Sequence, residues 1–184
     1  MSDDPKILLT TDRFRVVEHF IETSSGQPTV KKQVIIHPGA VVIIPIVDED
    51  RVCLIRNFRV AVGKKLIELP AGTLDRGDEP PQLTAVRELK EETGFRAQHW
   101  RELPAFFMSP GILNERMHLY VAEGLTLGEP AREPGEEIEN LIVDWKEAVR
   151  MAEVGEIEDA KSLVAILLWD RLRDAGKRNS VTQK

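Results

Sequence analysis

Three glutamates and an arginine stand at spacings that could do chemistry. Arg87, Glu88, Glu91 and Glu92 lie in a stretch, Pro81 to Thr93, whose apolar residues recur at helical rather than strand period. With Glu88 set at zero and about 100° per residue, Glu92 falls at about +40° and Glu91 at about −60°, so the three carboxylates share one face. Clustered carboxylates offer a hard divalent cation the several oxygen ligands it needs, without His or Cys. The same spacing also suits a solvated helix face, because like charges at i,i+4 cost only about 0.2–0.5 kcal/mol per pair. Leu83, Val86, Leu89 and Thr93 gather on the opposite side. They are expected to pack inward while the acids face a cleft.

The elements that must position this helix are mostly strands. Phe14 to Ile21 and Val30 to Ile36 read as a hairpin around the turn-rich residues 23–28. Ala40 to Val47 is a Val- and Ile-rich apolar run too short for most helices and reads as a buried strand, with Pro45 at its edge or at a bulge. Arg51 to Phe58 and Lys65 to Leu69 follow, and Pro70-Ala71-Gly72 breaks the second. The acidic helix begins at Pro81 and stops at Gly94 in the left-handed position. Strands return at Ala105 to Met108, Met117 to Ala122 and Leu141 to Val143, the last after a long acidic loop from Gly128 to Glu139. Asp144 and Glu147 resemble a capping box for a helix ending at Gly155. The final helix turns Ala160, Leu163, Val164, Leu167, Leu168 and Trp169 to one side, which should pack on the sheet.

Composition removes several classes of function. At 184 residues, 42% hydrophobic and 30% charged, the chain fits one α/β domain and neither a disordered nor a fibrous protein. A net charge of −6 excludes general binding of nucleic acid through a basic surface, and leaves small anions open if metal ions intervene. The single cysteine, Cys53, sits in the apolar run Val52 to Ile55 and reads as a buried small hydrophobe. The first residues lack the layout of a secretory signal and no run approaches bilayer-spanning length, so a cytoplasmic protein without membrane contact is expected.

The run from Gly72 to Phe95 resembles the Nudix box, GX5EX7REUXEEXGU with U apolar. From Glu79 onward the match is complete, and the one departure is an extra residue between Gly72 and Glu79, in a loop that leaves the helix register unchanged. The resemblance implies a Nudix-type α/β/α sandwich with a central mixed sheet, here carrying an N-terminal β-hairpin extension. It assigns Mg2+ or Mn2+ to Glu88 and Glu92, with Glu91 assisting and the Ala71 carbonyl as a further ligand. Arg87 would orient the acids by ion pairing and Glu79 would brace loop against helix. The water proton would go to Glu91 or to a glutamate of the acidic loop, Glu136 or Glu137, with Glu133 as the fallback.

Segments outside the box resemble the ADP-ribose pyrophosphatase branch: His37-Pro38-Gly39-Ala40, Arg56-Asn57-Phe58-Arg59, Glu68-Leu69-Pro70-Ala71-Gly72 and Ser109-Pro110-Gly111. That resemblance implies hydrolysis of a nucleoside diphosphate sugar, ADP-ribose to AMP and ribose 5-phosphate, with GDP-mannose or another nucleotide sugar as the alternative. A ligand sensor or a non-catalytic scaffold is the remaining option: a sensor would need an attached DNA-binding domain, for which no basic segment is present, and a scaffold would not need the full acid set. Substrate contacts fall to Arg56, Arg59, Glu68, Ser109, Pro110, Gly111 and Glu115. For the two arginines, packing of their stems on a strand edge is the competing role. Residues 1–38 are expected to form a dimerisation element and residues 39–184 the hydrolase domain, in a homodimer whose sites take residues from both subunits.

Overall fold

The computed structural model describes residues 4–21, 30–131 and 137–181, with side chains described to residue 174. In chain order the elements are β1 (Lys6–Thr10), β2 (Arg15–Ile21), β3 (Val30–Ile36), β4 (Ala40–Pro45), β5 (Arg51–Arg59), β6 (Lys64–Glu68) and β7 (Ala71–Thr73). After them come α1 (Pro81–Thr93), β8 (Phe95–Arg96), β9 (His99–Phe107), β10 (Arg116–Glu123), β11 (Thr126–Leu127), β12 (Glu139–Asp144), α2 (Trp145–Glu153) and α3 (Ala160–Val181). Among these residues no helix is long and apolar enough to cross a membrane.

Strand β4 is the axis of the architecture. It pairs in parallel with β10 and antiparallel with β7 in a mixed sheet ordered β7-β4-β10-β9. The Ile46–Val52 bridge links it to an antiparallel sheet ordered β12-β5-β6. Strand alternation sends Val41 and Ile43 of β4, with Cys53 of β5, against Ala85 and Leu89 of α1. Val42 and Ile44, with Val52 and Leu54, face Trp145, Ala148 and Met151 of α2 and Ile166 and Trp169 of α3. Burial on both faces explains why β4 and β5 read as continuous apolar runs rather than alternating ones. The layers are α1, sheet, then α2 with α3, which is the expected α/β/α sandwich. The N-terminal residues form a separate antiparallel sheet, β1-β2-β3, whose β1 was not anticipated.

Helix α1 starts at Pro81 and ends on Gly94, which takes φ +80° and donates its N–H to the Lys90 carbonyl at 2.9 Å. Its inward face differs from expectation. Thr84, Ala85, Leu89, Glu92 and Thr93 are buried, whereas Leu83 and Val86 are exposed. The buried arc, from Thr84 to Thr93, is centred at about +60° on the scale used above, close to Ala85, whose small side chain lets the helix approach β4. One edge of the acid face is therefore carried under the sheet, and Leu83 and Val86 rotate out to solvent.

The other two helices also depart in detail. The expected capping box on α2 does not form: Asp144 makes no side-chain cap, and Glu147 is engaged by Arg150 through bonds of 2.7 and 2.8 Å. On α3 the buried side is Lys161, Ser162, Ala165, Ile166 and Trp169, while Val164 and Leu167 are exposed. Trp145 opens α2 from the core and donates its indole N–H to Asp170 at 2.7 Å. Cys53 is buried and its thiol is pushed up to about 12 by that burial, which leaves it an inert core side chain.

Candidate functional site

The rotation of α1 grades its acids by depth. Glu92 is 4% exposed, Glu88 14% and Glu91 26%, in the order of their distance from the centre of the buried arc. All three line a cavity of about 790 Å3. The Glu92 carboxylate accepts the Ala71 N–H at 3.0 Å, tying the last turn of α1 to β7 and setting the Ala71 backbone beside the acids. Gly72 follows in β7, and a Cβ built there would overlap the Glu88 carboxylate. The glycine is what lets Glu88 lie against the strand, which gives Gly72 a defined place despite the extra loop residue.

Arg87 organises the outer acids. One guanidinium nitrogen contacts Glu88 at 2.7 Å and Glu91 at 2.9 Å, and the other reaches Asp75 of the loop at 3.2 Å. Glu79 accepts the Thr84 hydroxyl at 2.8 Å and lies 3.8 Å from Arg87, so it braces the loop on the first turn of the helix. The Glu88 carboxyl is pushed up to about 7 by burial first, with the charges of Glu91 and Asp75 adding to it and Arg87 opposing. More negative charge is gathered here than Arg87 can balance.

Hard oxygen donors, burial and surplus negative charge are what a divalent cation requires. Among the described residues no three such side chains already stand in ligating geometry, because Arg87 sits between Glu88 and Glu91. The donor set fits the cation once the guanidinium yields part of its hold.

A pH effect follows from the same charge. The folded pKa of Glu88 lies above its ordinary value of 4.5, so its contribution to stability is present below that pH and lost as pH rises through 7. Metal-free protein is expected to lose Tm between about pH 5 and 7.5, and added divalent cation to restore it. Glu88→Gln should flatten that slope in scanning calorimetry; an unchanged slope would assign it to another group.

The cavity has a second, cationic side. Arg59 lines it and makes a two-point ion pair with Glu68, Nε at 2.8 Å and the terminal nitrogen at 2.6 Å. Glu68 has no solvent exposure. Burial alone would raise its carboxyl, but Arg59 and Lys161 hold it below the ordinary value. Glu68, expected as a substrate contact, thus pairs with Arg59 and is not itself among the cavity-lining residues. Arg13 and Phe14 also line the cavity, from a β1-β2 turn closed by Thr11, whose hydroxyl accepts the Phe14 N–H at 3.0 Å. Local sequence gave no sign of that placement beyond a polar Thr11-Asp12 pair.

Other expected site residues stand away from the cavity lining. Arg56 lies 3.5 Å from Glu139, and Glu137 is 74% exposed beside Lys65 at 3.6 Å. Glu136 and Glu133 lie outside the described residues. Ser109, Pro110 and Gly111 form a turn that docks on β3, where Ile35 donates to the Ile112 carbonyl at 2.8 Å and Asn114 accepts the His37 N–H at 2.7 Å. Glu115 stands 3.6 Å from His37 Nδ1. His37 lines the cavity, so this turn reaches the site through His37 rather than directly.

Comparison with known proteins agrees with this geometry. A family model described as the NUDIX domain matches residues 36–165. The chain is 36% identical over 148 residues to the ADP-ribose pyrophosphatase of Bacillus subtilis (strain 168), covering 79% of each chain. It is 33% identical over 138 residues to the GDP-mannose pyrophosphatase of Enterobacter sp. (strain 638), covering 70% of this chain and 71% of the relative. A solved structure described as an ADP compounds hydrolase superposes with a TM-score of 0.77 at 25% identity, over 97% of this chain and 98% of the other.

Proposed function

Since the chain belongs to the Nudix family and is a pyrophosphohydrolase of nucleoside diphosphate sugars, we propose that its substrate is ADP-ribose, cleaved to AMP and ribose 5-phosphate. One observation carries the proposal: a single cavity is lined by the Glu88, Glu91 and Glu92 acids and by Arg59 and Arg13. A diphosphate diester bears two negative charges, and such a cavity can neutralise them from both sides once a cation joins the acids. Its volume of about 790 Å3 suits a ligand of nucleotide-sugar size.

Glu88, Glu92 and the Ala71 carbonyl would hold Mg2+ or Mn2+, which when bound neutralises pyrophosphate oxygens and acidifies a water. Arg87 fixes the outer acids against rotation, and Arg59 takes a diphosphate oxygen through the part of its fork that Glu68 leaves free. Water adds to phosphorus, the bridging P–O bond breaks, and the water proton passes to a carboxylate. Glu91 is the base we favour, because it already lines the cavity with its carboxylate partly exposed. Glu136 of the acidic loop is the second candidate, and Glu137 would have to leave Lys65 to serve.

Both an ADP-ribose and a GDP-mannose pyrophosphatase are among the relatives, so the base and sugar are the open choice. The higher identity to the former favours ADP-ribose, and Phe14 offers the cavity an aromatic face for a purine. The measurement is kcat/KM for ADP-ribose, GDP-mannose, nucleoside triphosphates and diadenosine polyphosphates, with products separated by chromatography. ADP-ribose should lead with AMP as product; a lead for GDP-mannose would overturn the substrate and keep the reaction.

A cytoplasmic homodimer completes the proposal, with residues 1–38 as its contact. Strands β1 and β2 carry Ile7, Leu8, Leu9, Phe20 and Ile21 exposed, an apolar surface that a second copy would cover. Light scattering on the preparation used for kinetics should give twice the chain mass; a fully active monomer would contradict it.

A further inference from the structure

Lys161 is 7% exposed on the first turn of α3, and an ammonium is rarely buried without a specific reason. Its Nζ lies 2.6 Å from Glu68 and 2.9 Å from Asp159. Asp159 also accepts the N–H of Ser162 at 3.0 Å and its hydroxyl proton at 2.6 Å, while the Ser162 oxygen accepts the Leu69 N–H at 2.7 Å. The start of α3 is thereby fastened to the end of β6. Glu68, at that end, spends both oxygens on Arg59 and shares one with Lys161.

The four charges balance, two cations against two anions, but they do not meet solvent equally. Side-chain exposure is 40% for Arg59, against 0% for Glu68, 9% for Lys161 and 14% for Asp159. Arg59 is the member that lines the cavity, so the state of the other three reaches a ligand through it. With Lys161 present, Glu68 divides its charge between two cations and Arg59 keeps positive potential toward the cavity. Without it, Glu68 and Asp159 form an excess of negative charge behind the guanidinium, which is drawn onto Glu68 and offers less to an anion.

We propose that Lys161 is a positioning residue for substrate binding, acting through Glu68 to hold Arg59 aimed and charged toward the diphosphate. This rests on Arg59 contacting the diphosphate, as in the function proposed above. The diphosphate is anionic in both the bound ground state and the transition state, so the interaction is uniform: its loss raises KM and spares kcat.

The test uses the full chain with ADP-ribose, reading KM and kcat in Mg2+ and, separately, Kd by titration calorimetry in EDTA where turnover is stopped. Lys161→Met and Lys161→Gln are both expected to raise KM and Kd about tenfold with kcat within about twofold, and Lys161→Arg to stay near wild type. The glutamine keeps a donor for Glu68 without the charge, so it also serves should the methionine variant fold poorly. In an Arg59→Ala background Lys161→Gln should add nothing, because the residue it acts through is gone. Additive effects, a loss confined to kcat, or KM and Kd unchanged in the glutamine variant would overturn the proposal. Wild-type protein that binds ADP-ribose without hydrolysing it would sink the substrate reading alone, leaving Lys161 to be judged on Kd.

Discussion

Glu92→Gln is expected to lower kcat for ADP-ribose by about 10³-fold or more while the chain stays folded. The geometry accounts for both halves. Glu92 is 4% exposed and sits in the buried arc of α1, so its carboxylate can enter few arrangements other than the one beside Ala71. A cation held there loses a formal charge and a hard oxygen when the amide replaces the acid. The glutamine oxygen can still accept the Ala71 N–H, so the join between α1 and β7 survives at a cost of about 1 kcal/mol. Arg59 also feels the Glu92 charge, and a modest change in KM should accompany the loss. Steady-state kinetics at saturating metal, with thermal unfolding of the same samples, would check this; kcat within tenfold of wild type in a folded variant would remove Glu92 from the metal site.

What was legible in the sequence is what local chemistry determines. Strands β4 and β5 announce themselves because both faces of each are buried, and α1 because Pro81 and Gly94 mark its ends. Strand β7 is three residues long with a glycine at its centre, and it exists by pairing with β4, which no local pattern reveals. Strand β1 is exposed throughout and shows no alternation for a sheet to impose. Helical period placed the three acids on one face but misjudged which arc goes inward, since the rule weights Leu83 and Val86 by hydrophobicity while close packing selected Ala85. At the site, the box exposed the metal-side acids because they are adjacent on one helix. The cationic side was only half visible, because Lys161 and Glu68 are 93 residues apart and meet only when α3 docks on β6. The turn carrying Arg13 and Phe14 reaches the cavity through the pairing of β1 with β2, for the same reason.

Gly72→Ala should separate the fold from the chemistry. The added Cβ would overlap the carboxylate of Glu88, and it meets the far end of a flexible side chain rather than backbone. Glu88 can therefore swing away without shifting α1 or β7. Gly72 has no positive φ, so alanine is free of left-handed strain there and removes some freedom from the unfolded chain, worth about 0.4–1 kcal/mol in favour of folding. Stability is expected to stay within a few degrees of wild type in Tm, given roughly 4 °C or less per kcal/mol at this size. Activity should not stay. A displaced Glu88 gives up its 2.7 Å contact with Arg87, whose guanidinium then leans on Glu91 and Asp75 and pulls the outer acids out of register. A misplacement of about 1 Å at such a centre costs about 10²-fold in rate, so kcat/KM should fall by at least that much and the metal concentration for half-maximal activity should rise. Because the alanine acts through one carboxylate, Gly72→Ala added to Glu88→Gln should make that variant little worse. Full activity of Gly72→Ala would show that Glu88 does not need the space above the glycine, and a collapse of Tm would show instead that the glycine holds the strand rather than the acid.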